Sequence, residues 1–202
     1  MSSKRFSAAV AAFDRVHAQD PQTEAMDGTS VPRAQLFTKR LVDWVERVAP
    51  EADEALRLAA HCQHLGRWQR PRTDYEPGRI GYLRWRRDAA HFHAEQAAHI
   101  LSDVGYDEAQ IDAVRRIVLK RSLKTDRDAQ AMEDALCLSF LEHEAEAFAA
   151  KHDDEKIIEI LRRTWGKLST RGRSLAQGLS LPKHLGDLLE RALSAADSDA
   201  TQ

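Results

Sequence analysis

Apolar residues recur at intervals of three and four positions along almost the whole chain, and alternation at every second position is nearly absent. The first spacing places apolar side chains on one face of an α-helix, whereas alternation is typical of strands. We therefore predict an all-α fold. The predicted helices cover about 4–18, 29–50, 51–66, 88–103, 107–122, 126–151, 153–168 and 182–196.

Local signals mark several of these helix boundaries. A Ser/Thr cap followed by an early proline should begin the second helix, and Pro50 should end it. Asp107 with Gln110 three residues later predicts a capping box. The segment 67–87 contains two prolines and two glycines, which favour an irregular connection. With no internal repeat, the whole chain, 1–202, is expected to form one helical bundle.

Composition narrows the class of protein. The 202 residues include 43% hydrophobic and 31% charged residues, and the net charge of −2 provides no global field for nucleic acid or membranes. The two cysteines, Cys62 and Cys137, lie in separate segments, which argues against a disulfide framework or a thiolate zinc cluster. No apolar run reaches membrane-spanning length, and the N-terminus lacks a secretory pattern. We expect a cytoplasmic protein that binds neither a membrane nor extended nucleic acid.

Three ionisable residues fall on helix faces that should be buried. Asp134, His93 and His64 each share a helical period with aliphatic residues. A buried carboxylate must be paired, hydrogen-bonded or bound to a metal, because burying it alone costs several kcal/mol. The structural alternatives are a salt bridge or cap for Asp134 and satisfied core positions for the histidines. Together the three residues predict a helical metal centre suited to zinc, manganese or iron.

A second cluster is the arginine-rich segment 67–88, which carries seven arginines against three acids. Guanidinium groups bind phosphate and stack on aromatic rings, so the segment predicts an anion pocket with a base stacked on an aromatic side chain. The alternative is a loop held by Arg–acid pairs with its aromatics in the core. The stretch 119–126 adds further cations, including Lys120, which the helix dipole alone could explain. The candidate substrate-binding residues are Arg67, Trp68, Arg70, Arg84, Arg86 and Lys124.

Three stretches, "LRLAAHCQHLGRW", "HAEQAAHILSDVGYDEAQIDAVRRIV" and "MEDALCLSFL", resemble the metal-binding segments of the HD-domain superfamily over about residues 33–142. The resemblance implies an HD-like core over about 33–150, with helices 153–194 packed on it. It also implies metal ligands at His64, His93 and Asp134, with Gln63 as a weaker neutral ligand. The superfamily's first histidine would fall around Phe37 or Thr38, where this chain has none.

The stretches "CQHLGRWQRPR", "GYLRWRRD" and "EDALCLSFLEHE" also resemble an uncharacterised family, the domain of unknown function 4202. This likeness extends over most of the chain and is more specific than the likeness to the superfamily. It implies no activity.

Three functions follow as hypotheses. The first is a metal-dependent phosphohydrolase for a small nucleotide or phosphorylated metabolite. Its divalent metal would activate water, Glu133 or a histidine would relay the proton, and Asp134 would be a catalytic metal ligand. The second is a binding module for a small anion, a nucleotide or a partner on a degraded HD scaffold. The third is an HD-type di-iron oxygenase.

Overall fold

Helices account for nearly all of the regular structure, which confirms the predicted all-α class. The computed structural model describes residues 4–26, 28–123 and 125–199, with side chains up to residue 194. The α-helices are α1 Lys4–His17, α2 Arg33–Val48, α3 Glu54–Cys62, α4 Gly78–Asp103, α5 Glu108–Val118, α6 Arg127–His143, α7 Ala145–Ala149, α8 Asp154–Lys167, α9 Thr170–Gln177 and α10 Lys183–Asp199. Two short 3-10 helices, Arg67–Gln69 and Arg72–Asp74, precede α4. None of the described helices is both long and apolar enough to cross a membrane.

The chain divides into two compact units, Met1–Met132 and Glu133–Gln202. The division falls inside α6, and the single domain with an HD-like core over about 33–150 stays a prediction. In the first unit, α3 packs against α1, α2 and α5, and α4 packs against α5. Leu56, Leu58, Leu101 and Ile117 are among the fully buried side chains of that unit. In the second unit, α8 packs against α10, which also contacts α7.

Helix α4 begins ten residues earlier than predicted, at Gly78 rather than at residue 88. Pro77 directly precedes the helix, a position where a missing N–H costs little. A Cβ at Gly81 would lie only 2.0 Å from the carbonyl oxygen of Glu76, so glycine is required there by close packing within the helix start. The guanidinium of Arg72 donates to the carbonyls of Tyr75, Glu76 and Gly78 and holds this entry together. Prolines and glycines that predicted a loop therefore build a helix N-terminus.

The other differences are also local. The expected Ser/Thr cap of α2 is wrong, because Thr29 pairs with Met26 in an antiparallel hairpin of β1 (Thr23–Met26) and β2 (Thr29–Pro32). Pro32 precedes α2 without a side-chain cap. The capping box of Asp107 and Gln110 is confirmed. The helix predicted over 126–151 is interrupted at Glu144, α3 ends at Cys62, and α9 was not predicted.

Candidate anion-binding site

A cavity of about 260 Å³ lies in the first unit, where the turn after α3, the N-terminal half of α4 and the end of α5 meet. Its polar lining comes from Gln63, His64, Arg67, Arg86, His93 and Lys120. Tyr82 and Trp85 supply aromatic surface. The described residues that line the cavity include no aspartate and no glutamate.

The turn after α3 positions Gln63 and His64, the first two residues of the polar lining. The helix ends at Cys62, and Gly66 takes a left-handed conformation with φ of 68°, which favours glycine. Leu65, in the turn between Cys62 and Gly66, is fully buried. The carbonyl of Leu65 thereby becomes the hydrogen-bond acceptor for a side chain of α4.

That side chain is His93, which is 2% exposed. Its Nδ1–H donates to the Leu65 carbonyl over 2.6 Å, so the proton of the neutral ring lies on Nδ1 and Nε2 carries a lone pair. Burial lowers the pKa of His93, the nearby Arg67 lowers it too, and the hydrogen bond to Leu65 opposes both, so that the pKa lies at about 4. His93 is therefore neutral at pH 7.

The His64 side chain contacts the aromatic ring of Phe37 and the guanidinium of Arg67. Its imidazole stacks on Phe37, with centroids 4.4 Å apart, and Arg67 donates from Nη1 to His64 Nε2 over 3.1 Å. Burial holds the pKa of His64 well below its usual range, and Arg67, His93 and Lys120 lower it further by charge repulsion. The surroundings of His64 thus disfavour additional positive charge.

Two of the lining cations are arginines on aromatic faces. The Arg67 guanidinium lies 4.8 Å from the centre of the Trp85 ring, and that of Arg86 lies 5.8 Å from the centre of the Tyr82 ring. Trp85 is fixed in turn, because its Nε1–H donates to the carbonyl of Arg70 over 2.8 Å. The stacking restrains the orientation of both guanidinium groups.

The third cation, Lys120, occupies a backbone conformation that normally favours glycine. Its φ is 51°, and it follows the last residues of α5. The N–H of Arg121 bonds to the carbonyl of Arg116, and that of Lys120 bonds to the carbonyl of Ile117, which together form a Schellman motif. A residue with a Cβ in this conformation costs about 1 kcal/mol relative to glycine.

The structure brings together only some of the predicted substrate-binding residues. Arg67 and Arg86 line the cavity, whereas Trp68, Arg70 and Arg84 are not among the described residues that do so. The Arg70 guanidinium lies over Phe92 instead, and Arg84 is exposed. Lys124 lies outside the described residues. Because α4 starts at Gly78, Tyr82 and Trp85 share a helical face with the predicted Arg86 and line the cavity with it.

Asp134 and Glu133 belong to the second unit and have structural partners there. The backbone N–H of Ser169 donates to Asp134 Oδ1 over 2.8 Å, and the Ser169 hydroxyl donates to Oδ2. Ser169 is also the N-cap of α9, since its Oγ accepts from the N–H of Gly172. Glu133 is buried and forms an ion pair with Lys167 at 3.3 Å. These contacts match the structural alternative for Asp134, a carboxylate that supports a helix cap.

The residues at the cavity do not fit the predicted metal centre. His64, His93 and Gln63 do line one cavity, but all three are neutral donors, and Arg67 and Lys120 line it with them. In the part of the chain that the structure describes, no group of three or more His, Cys, Asp or Glu side chains could hold a metal ion. A divalent cation in a cavity lined by three positive side chains, without a carboxylate among its described lining residues, is electrostatically disfavoured.

A family model described as a domain of unknown function (DUF4202) matches residues 7–189. The chain therefore belongs to this family, as its motifs indicated, and the likeness to the HD-domain superfamily stays a prediction. No curated protein and no solved structure is similar enough to this chain to count as a match.

Proposed function

We propose that this protein binds a small anionic metabolite, with a phosphate group as the anion, in the cavity of its first unit. The observation that carries the proposal is the convergence of Arg67, Arg86 and Lys120 on a cavity whose described lining has no carboxylate. Arg67 lowers the pKa values of both His64 and His93, and Lys120 also lowers that of His64. A bound anion would be attracted by these cations.

The chemistry of the three cations favours phosphate over a simple halide. Guanidinium groups offer paired N–H donors that match two phosphate oxygens, and the ammonium of Lys120 adds a compact charge. The aromatic rings of Trp85 and Tyr82 hold both arginines in place. Binding to a preorganised group of this kind costs less side-chain entropy than binding to mobile surface cations.

The size of the cavity limits the ligand. Its volume of about 260 Å³ is slightly below the roughly 300–1,000 Å³ typical of pockets for drug-sized molecules. A phosphorylated metabolite of a few carbon atoms suits this volume better than a whole nucleotide enclosed with its base. This supports the second hypothesis from the sequence, a binding module, in its small-anion form.

The phosphohydrolase and di-iron hypotheses remain predictions. Both need a metal centre, and the donor set at the cavity lacks the carboxylate and the net negative charge that would attract one. One feature does favour a metal, because a histidine that donates from Nδ1 to a carbonyl is oriented as metal-ligating histidines are. The same orientation equally serves a histidine that accepts a hydrogen bond from a ligand.

Calorimetric titration with inorganic phosphate at low ionic strength tests the proposal. Arg86→Gln should weaken binding about tenfold, since it removes one charge-assisted contact. Arg84→Gln is the matched control, because Arg84 is exposed on the same helix and is not among the described lining residues. Absence of binding to the unmodified protein, or equal losses in the two variants, would refute a phosphate site in this cavity.

A further inference from the structure

We infer that the exposed side of α4 at its N-terminal end docks an acidic segment of another protein, one that carries aliphatic side chains among its carboxylates. This docking face consists of Arg79, Ile80, Leu83, Arg84 and Arg87, all of which are exposed. None of the five belongs to the described lining of the cavity. The docking face is therefore a second site, beyond the proposed phosphate site.

The docking face exposes two aliphatic side chains. Among the described residues, the large hydrophobic side chains that are exposed are Ile80, Tyr82 and Leu83, which lie within one turn of α4. Ile80 is 75% exposed and Leu83 is 52% exposed. A single exposed aliphatic residue is ordinary, whereas a group of them that charged residues surround is typical of an interaction site.

Arginines surround the two aliphatic side chains. Because successive residues of an α-helix are rotated by about 100°, the five residues fall within about 140° of the helix circumference. Their order around it is Arg79, Leu83, Arg87, Ile80 and Arg84. Arg87 is paired with Asp88 at 2.9 Å, whereas Arg79 and Arg84 form no ion pair within the described parts of the chain. The docking face thus combines apolar surface with positive charge.

The rest of α4 fixes the docking face towards solvent. Gly81, Trp85 and Ala89 lie on the opposite side of the helix, and all three are buried. The helix therefore cannot turn Ile80 and Leu83 inwards without exposing that buried side. A second molecule can cover the two side chains without such a change, and a rigid helix face binds at a low entropic cost.

The arrangement of the arginines favours a protein over a membrane. Around the helix, Leu83 lies between Arg79 and Arg87, so insertion of the aliphatic side chains into hydrocarbon would bring guanidinium groups with them, which is costly. Helices that lie on membranes separate the cationic face from the apolar face. An acidic protein segment can instead place carboxylates opposite the arginines and apolar side chains opposite the aliphatic ones.

The side chains of the docking face also favour a protein over nucleic acid. Proteins that bind single strands present aromatic rings on which bases stack. The docking face presents aliphatic side chains, and the guanidinium of Arg86 lies over the ring of the neighbouring Tyr82 at 5.8 Å. Arginine and large apolar residues together are typical of the buried centre of protein interfaces.

Selection from a phage-displayed library of random peptides on the unmodified chain tests the inference. The enriched peptides should combine Asp or Glu with Leu, Ile or Val, and fluorescence anisotropy of synthetic copies gives their affinities. Arg84→Glu should weaken binding at least about tenfold by charge repulsion. Arg57→Glu is the matched control, because Arg57 is exposed on α3 in the same unit. Absence of enriched peptides, enrichment of peptides without acidic residues, or equal losses in the two variants would overturn the inference.

Leu83→Ser separates the docking face from the phosphate site. The side chain is exposed and lies outside the described cavity lining, so the variant should lose peptide affinity about tenfold and keep its phosphate affinity. Unchanged peptide affinity in Leu83→Ser would contradict an apolar contribution to the docking face.

Two further measurements distinguish other occupants. Co-sedimentation with vesicles of phosphatidylcholine and phosphatidylserine that Leu83→Ser abolishes would assign the docking face to a membrane. A dimer in sedimentation velocity that Arg84→Glu dissociates would assign it to a second copy of the chain. Either result would overturn the inference, and we expect neither.

Discussion

The imidazole of His64 stacks on the phenyl ring of Phe37, with centroids 4.4 Å apart and planes inclined by 20°. In the HD-like pattern predicted from the sequence, the first histidine would fall around Phe37 or Thr38. An apolar ring therefore covers the face of His64 at this position, and Arg67 occupies its Nε2. His64 therefore contacts the Phe37 ring with one face and the Arg67 guanidinium with Nε2.

From this arrangement we expect the native protein to carry well under one equivalent of manganese, iron or zinc when it is purified without an affinity tag. Inductively coupled plasma mass spectrometry provides the measurement, with His64→Ala and His93→Ala as comparison variants. About one equivalent of a metal, lost in both variants, would contradict the expectation and restore the phosphohydrolase hypothesis.

Lys120→Gly should raise the stability of the protein and weaken its binding of phosphate. Because φ is 51° at this position, glycine should relieve backbone strain and raise the free energy of unfolding by about 0.5–1 kcal/mol. The same change removes a cation from the cavity and should weaken phosphate binding about tenfold. Urea denaturation and titration calorimetry measure the two effects.

Lys120→Ala is the control for this pair of effects. Alanine keeps the Cβ and its strain, so the variant should lose phosphate affinity without gaining stability. A Lys120→Gly variant that binds phosphate as well as the unmodified protein would exclude Lys120 from the site.

The free energy of unfolding should fall at acidic pH because His93 is buried in its neutral form. The pKa of His93 is about 4 in the folded chain against 6.5 ordinarily, so the unfolded state binds more protons between these values. The contribution of His93 to the free energy of unfolding is fully present above pH 6.5 and is lost as the pH falls towards 4. For His93 alone this loss is about 3 kcal/mol. The lowered pKa values of His17 and His64 act in the same direction.

Urea denaturation from pH 7 to pH 4.5 checks this prediction. Other groups titrate over the same range, so the difference between the unmodified protein and His93→Asn isolates the contribution of His93. Parallel curves for the two proteins would contradict the assignment.

Asp134→Asn should act on stability and leave the cavity unchanged. The carboxylate accepts both the N–H and the hydroxyl of Ser169, and charge-assisted bonds of this kind contribute about 1.5–3 kcal/mol. We expect a loss of roughly that size in the free energy of unfolding and phosphate affinity within about twofold of the original. Loss of phosphate binding without loss of stability would contradict the structural role and show that Asp134 contributes to the functional site.

Local sequence signals predicted the parts of the structure that depend on neighbouring residues. The three- and four-residue periodicity predicted the all-α class, and Asp107 with Gln110 predicted a capping box that is present. Similar signals failed at α4, because Pro77 and Gly81 indicate a helix start as readily as a loop. The predicted anion site therefore included Trp68 and Arg84 beside Arg86, whereas Trp85 and Tyr82 line the cavity with Arg86.

The sequence by itself determined that His93 lies on a buried helix face, since the helical period alone assigns the apolar stripe. Only the tertiary structure decided its partner, the carbonyl of Leu65, and placed Lys120 at the same cavity. Likewise, Asp134 was predictable as a buried carboxylate, but its partner Ser169 comes from another helix start. The physical reason is that periodicity sets which face of a helix is buried, whereas the group that meets that face depends on how distant segments pack.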